Sequence, residues 1–239
     1  MSLATTVYAA LALLGTVAVV FVVQTADEGE ITASDLGPPR AVARGFLETS
    51  LPPLSVLAAV TAVGVVVGDL DLGTLGLGPA ARTPAAVAAG LGLGAGMSVL
   101  AIVQVWLLGR LGVSVEDTAA SVYPDSYAGL GWYTVGYAGQ STMEEALFRA
   151  GLVGAVPAVI PVSPPLAVVL GAVAFGLAHA DRAPGGVVVT ATTGLVYGVG
   201  FLLFGLPAVA VGHTFQNLVD ATNKRFRADS DRFTTPGEE

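Results

Sequence analysis

Residues 84–109 read PAAVAAGLGLGAGMSVLAIVQVWLLG, a run of 26 positions without a charged side chain. About 20 predominantly apolar residues in a helix cross the ~30 Å hydrocarbon core of a bilayer. This run is long enough to span one. Lipid offers no partner for free N–H and C=O groups, so a single spanning segment must be a helix. Gly90, Gly92, Gly94 and Gly96 set two overlapping GxxxG spacings, and Gly194 and Gly198 make another. Such spacings let two spanning helices approach closely.

Six further windows of the same kind lie at 3–24, 52–68, 131–160, 164–180, 185–204 and 206–222. The expectation is an all-α fold, a polytopic transmembrane helical bundle of about seven spans, six to eight. The window 131–160 is long and carries charge, so it reads either as one tilted helix or as a surface helix leading into a span. Pro157, Pro161, Pro164 and Pro165 mark a break and restart after it. Residues 41–51 read as a short interfacial helix, and Trp106, Trp132 and Tyr133 as membrane-interface anchors. Residues 1–130 form N-terminal membrane helices without a motif, 131–222 a motif-bearing core, and 223–239 a polar tail expected to be unstructured. The loop 25–40 is acidic and ends in a Pro-Pro pair before Arg40.

Composition excludes several classes. Hydrophobic residues make up 54% of the 239-residue chain and charged ones 12%, half the roughly 25% of soluble domains. The net charge of −8 and a single lysine, Lys224, leave no basic stripe for nucleic acid. With no cysteine there is no disulfide framework, thiolate metal site or Cys nucleophile. Residues 1–24 lack Lys and Arg and are too long for a signal h-region, so they read as a retained anchor. Seven spans place Arg40, Arg44, Arg110, Arg182, Lys224, Arg225, Arg227 and Arg232 on one side and only Arg82 on the other. The positive-inside rule then gives an outside N-terminus and a cytoplasmic C-terminus, in the plasma membrane.

The informative charges are those inside spans. An ionised side chain at a helix centre costs about 2.5–3.5 kcal/mol on insertion scales, so Glu144, Glu145 and Arg149 together cost roughly 9 kcal/mol before pairing. Glu145 and Arg149 are four apart and share a helix face. Glu144 lies about 100° around from Glu145 and is left without that partner. Both histidines also fall in apolar spans, each in an i,i+4 pair: Phe175 with His179, and His213 with Asn217. Three helices thus bring polar groups to membrane depth, a pattern that marks a functional site.

Chemically, the set is hydrolytic. A carboxylate beside an imidazole can deprotonate a water, while a second imidazole and an amide can donate to an oxyanion. Glu144, His179 and His213 could equally hold Zn²⁺ with a water. The spacing does not choose between these versions.

The motifs Glu144-Glu145-x-x-x-Arg149, Phe175-x-x-x-His179 and His213-x-x-x-Asn217 resemble those of the CPBP family, the CAAX-protease and bacteriocin-processing (Abi) intramembrane proteases. The resemblance covers roughly 130–222. It implies an endopeptidase, usually labelled a metalloprotease, acting on membrane-associated substrates such as prenylated CAAX proteins. Carried over, Glu144 activates water with His179, and His213 and Asn217 stabilise the oxyanion or complete a metal site. Glu145, Arg149 and Phe175 support them. The implied partners are membrane lipid and a membrane-anchored peptide or protein. Two other classes use the same residues: a proton-coupled transporter, and a non-catalytic membrane scaffold or immunity protein.

Overall fold

Proline sets most of the helix starts. In a computed structural model that describes residues 2–25, 38–115 and 126–234, helices α2 (Pro39–Val66), α3 (Pro84–Arg110), α6 (Pro164–Leu177) and α7 (Pro184–Phe204) all begin on one. At the first helical position the missing N–H costs nothing and φ is already helical. The remaining helices are α1 (Leu3–Thr25), α4 (Tyr127–Glu145), the four-residue α5 (Val156–Val159) and α8 (Leu206–Thr234). A π-helical segment, Ala146–Ala155, joins α4 to α5, and a 3₁₀ turn covers Pro79–Arg82. The described residues contain no strand.

These elements make an all-helical bundle of seven rods, α4 running through the π segment into α5. Four helices, at Leu3–Val22, Pro39–Val66, Pro84–Arg110 and Pro184–Phe204, are long and apolar enough to cross a membrane. α6 has 14 residues, about 21 Å of rise. The expected seven crossings are therefore matched in full only by these four helices.

The outside of the bundle is apolar and the polar groups are inside. Val66, Leu203 and Phe21 are 85%, 67% and 66% exposed, while Glu145, Arg149, Ser141 and Ser50 are almost wholly buried. Soluble proteins show the reverse. The chain is a multi-pass membrane protein.

Three expectations need correction. The interfacial helix at 41–51 and the span at 52–68 are one helix, α2, with Pro52 and Pro53 inside it. The prolines deprive the preceding turn of two bonds. The carbonyls left without those bonds are Glu48 and Thr49, four residues before each proline, while the Thr49 and Ser50 hydroxyls donate to the Phe46 carbonyl at 3.0 and 2.6 Å. The tail is not unstructured over 223–234, because α8 continues to Thr234; after Gly212 the next helix breaker is Pro236. Tyr133 is not an interface anchor but a buried residue, packed edge-on to Tyr137 at 5.9 Å. Trp106 and Trp132 are exposed, under the guanidinium groups of Arg110 and Arg40. Most of the acidic loop 25–40 and residues 235–239 lie outside the described residues.

The glycine spacings act at helix contacts. A Cβ on Gly90 or Gly94 would strike the backbone of Ala208 or Gly212, so α3 and α8 touch backbone to backbone. Gly92 and Gly96 face open space. Gly194 and Gly198 bring α7 onto Ala172 and Val168 of α6. At the α7–α8 junction Gly205 takes φ of 83°, a conformation that glycine adopts freely, and Leu206 N–H donates to the Gly76 carbonyl at 2.9 Å.

Candidate active site

The polar residues of α4, α6 and α8 meet around the π segment. That segment is packed on nearly every side, with Leu147, Phe148, Arg149 and Ala150 buried in succession. Single π turns inside α-helices are common at functional sites. Here the wider turn starts immediately after Glu145, and the Tyr8 hydroxyl of α1 donates to its first carbonyl, Ala146, at 3.2 Å.

Glu145 is the most committed carboxylate. Its Oε2 lies 3.0 Å from Arg149 Nε, an ion pair that falls short of hydrogen-bond alignment. Its Oε1 accepts from His213 Nδ1 at 2.8 Å. Glu145 therefore does more than pair with Arg149, since it also orients the α8 histidine. The Arg149 guanidinium sits over the Phe175 ring, 4.3 Å from its centroid, with Tyr197 on another side at 5.9 Å. Aromatic faces stabilise a desolvated cation.

Glu144 is partnered differently. Gln140, one turn earlier, donates from Nε2 to Oε1 at 2.9 Å. Its other oxygen, Oε2, is 3.7 Å from His213 Nε2, too far for a hydrogen bond but close enough for one water to reach both. His179 follows α6 by two residues, in the turn toward α7. Its Nδ1 bonds the Phe175 carbonyl at 2.8 Å, and its ring packs on Phe175 at 4.7 Å. Glu144, Arg182 and His213 lie in electrostatic range of that ring. Asn217 donates from Nδ2 to Ser141 Oγ at 3.1 Å.

The acceptors fix the histidine tautomers. A carbonyl and a carboxylate can only accept, so the proton sits on Nδ1 of both His179 and His213. Phe175, 1% exposed, is the hub: it touches Phe148, Arg149, His179 and His213. Tyr197 stacks on His213 at 5.4 Å and donates to Gln216 Oε1 at 2.8 Å.

Glu144, Glu145, Arg149, Phe175 and His213 are thus in direct contact or nearly so. His179 joins them through Phe175, and Asn217 is tied to α4 by its bond to Ser141. Sequence reasoning missed Gln140, Ser141 and Tyr197. The first two stand four residues before Glu144 and Glu145, so the same-face rule could have found them. Tyr197 comes from a distant helix and no local spacing marks it.

A metal would need converging donors. Both histidines carry the Nδ1 contacts usual for metal ligands, and Glu144 Oε2 and His213 Nε2 are spaced as two ligands of one ion could be. Among the described residues, however, no group of three His, Cys, Asp or Glu is placed to hold a metal ion.

The family model described as Type II CAAX prenyl endopeptidase Rce1-like matches residues 127–219, from the first residue of α4 to just past Asn217. No curated protein and no solved structure matches the chain.

Proposed function

From the premise that residues 127–219 belong to the CPBP/CAAX protease family, we propose that the protein is an intramembrane endopeptidase that cleaves a membrane-anchored peptide near the cytoplasmic surface. The observation that carries this reading is the uncommitted Oε2 of Glu144, beside His213 Nε2 at 3.7 Å in a buried site.

In this reading Glu144 Oε2 takes a proton from a water as the water oxygen bonds to the scissile carbonyl carbon. His179, neutral and with Nε2 as acceptor, shares that proton. Negative charge develops on the carbonyl oxygen. It receives a hydrogen bond from the second N–H of Asn217 and from Nε2–H of His213, which enters the step with a second proton taken from solvent and balanced by the Glu145 carboxylate at Nδ1. Collapse breaks the C–N bond, and the proton held at Glu144 passes to the leaving amine. Every step runs on protein groups, so cleavage should survive dialysis against a metal chelator. Loss of activity that Zn²⁺ restores would contradict this.

Contacts at the two ends of the bundle support seven crossings. Asp69 after α2 accepts from Ala4 N–H at the start of α1, and Gly76 meets the α7–α8 junction. At the other end Gly185 N–H of α7 donates to Ser114 after α3 at 2.9 Å. In this topology the first group is external, and the second, with His179 and Arg182, is cytoplasmic.

The test is Glu144→Gln, which keeps shape and hydrogen bonding but removes the base. Cleavage of a lipid-tethered peptide by the purified protein should fall about 10²–10⁴-fold at unchanged melting temperature. Retained cleavage sinks the assignment.

A further inference from the structure

The two adjacent carboxylates present four oxygens, and their partners are unequal. Glu145 has both engaged, Oε1 by His213 and Oε2 by Arg149. Glu144 has one engaged, Oε1 by the Gln140 amide at 2.9 Å. An ionised carboxylate accepts only, so it is the nitrogen end of the Gln140 amide that must face it. Without that contact the Glu144 carboxyl is free to turn about its terminal torsion, where rotamer wells are broad. Neither oxygen would then stay beside His213.

We propose that Gln140 is the positioning residue that holds Glu144 with Oε2 as its reactive oxygen. Gln140 ties down Oε1 from one helical turn away and so leaves Oε2 at the 3.7 Å approach to His213 Nε2. A donor one turn away on the same helix keeps its place relative to Glu144, so the alignment is set within α4 itself. The inference rests on Glu144 as the base and adds the residue that selects which of its oxygens acts.

The experiment compares three variants of the full chain on one lipid-tethered peptide, reading kcat, KM and melting temperature. Gln140→Met keeps the length and loses the donor. A hydrogen bond to a charged group is worth about 1.5–3 kcal/mol, so kcat should fall roughly 10- to 100-fold while KM stays within about twofold. Gln140→Glu keeps the shape and sets a second anion against Oε1, so its kcat should fall further. A packing role predicts the opposite order, with Gln140→Glu the milder change and losses tracking melting temperature. Full kcat in Gln140→Met, or that opposite order, overturns the inference. Glu144→Gln in the same assay separates the two levels. If it still cleaves, the base assignment fails and takes Gln140 with it; if it is dead while Gln140→Met is fully active, only the role of Gln140 fails.

Discussion

Arg149 shows how a buried cation is held here. It is 1% exposed, ion-paired to Glu145 and covered by Phe175 and Tyr197, while its Nη1 and Nη2 have no hydrogen-bond partner among the described residues. Its stability contribution is therefore electrostatic, through one carboxylate and two ring faces. Removing one member of a buried pair typically costs about 3–5 kcal/mol, because the other charge is left uncompensated. Arg149→Met should destabilise by about that much in a thermal or denaturant melt. Glu145→Gln with Arg149→Met should recover part of the loss, yet cleavage should stay low, since His213 then lacks a carboxylate on Nδ1. Additive losses would contradict the pairing. The i,i+4 rule made Glu145–Arg149 legible in sequence, and the motif spacings marked His179 and His213. The His213–Glu145 bond was not legible, because it joins residues 68 positions apart and depends on how α8 lies on α4.

At the level of elements, the site depends on how closely α8 is held. Gly90 and Gly94 let α3 meet the α8 backbone, whereas Gly92 and Gly96 of the same helix face open space. Gly94→Val should displace α8, lowering both melting temperature and cleavage. Gly96→Val should leave both near wild type. Equal effects would remove the packing argument. The sequence displayed two equivalent GxxxG spacings, and only tertiary contact distinguishes them. The continuity of α2 through Pro52 and Pro53 was hidden because a proline pair reads as a helix break in sequence.

The first helix is fastened by a charge. Asp69 accepts a hydrogen bond from the Ala4 N–H at 3.1 Å. That bond, at the positive end of the α1 dipole, holds the Asp69 carboxyl below its ordinary value. A depressed folded-state pKa adds stability above the unfolded carboxylate value, and this is lost as pH falls through the folded one. Asp69→Asn should therefore lower the melting temperature near neutral pH, and the difference from wild type should shrink on acidification. A gap that persists at acid pH would contradict the cap.

For the whole molecule, the apolar exterior and polar interior agree with a bilayer environment. Composition and the long apolar runs announced this. The number of crossings was harder to read, because α6 is short and α4 and α8 carry the polar groups of the site, which blur the hydropathy signal where function sits. The absence of cysteine makes the topology testable. Asp71→Cys, between α2 and α3, should react with an impermeant maleimide on intact cells, and Asp181→Cys, between α6 and α7, only after permeabilisation. Labelling of both from one side would reject the seven-crossing arrangement.

The most direct measurement of the central claim is mass spectrometry of a lipid-tethered peptide incubated with the purified, lipid-reconstituted protein in ¹⁸O-labelled water. Hydrolysis by a water activated at Glu144 predicts two fragments, the new C-terminal carboxyl carrying one ¹⁸O, with no such product from Glu144→Gln. An intact peptide alongside proton flux across the same membranes would contradict the account and assign these buried residues to transport.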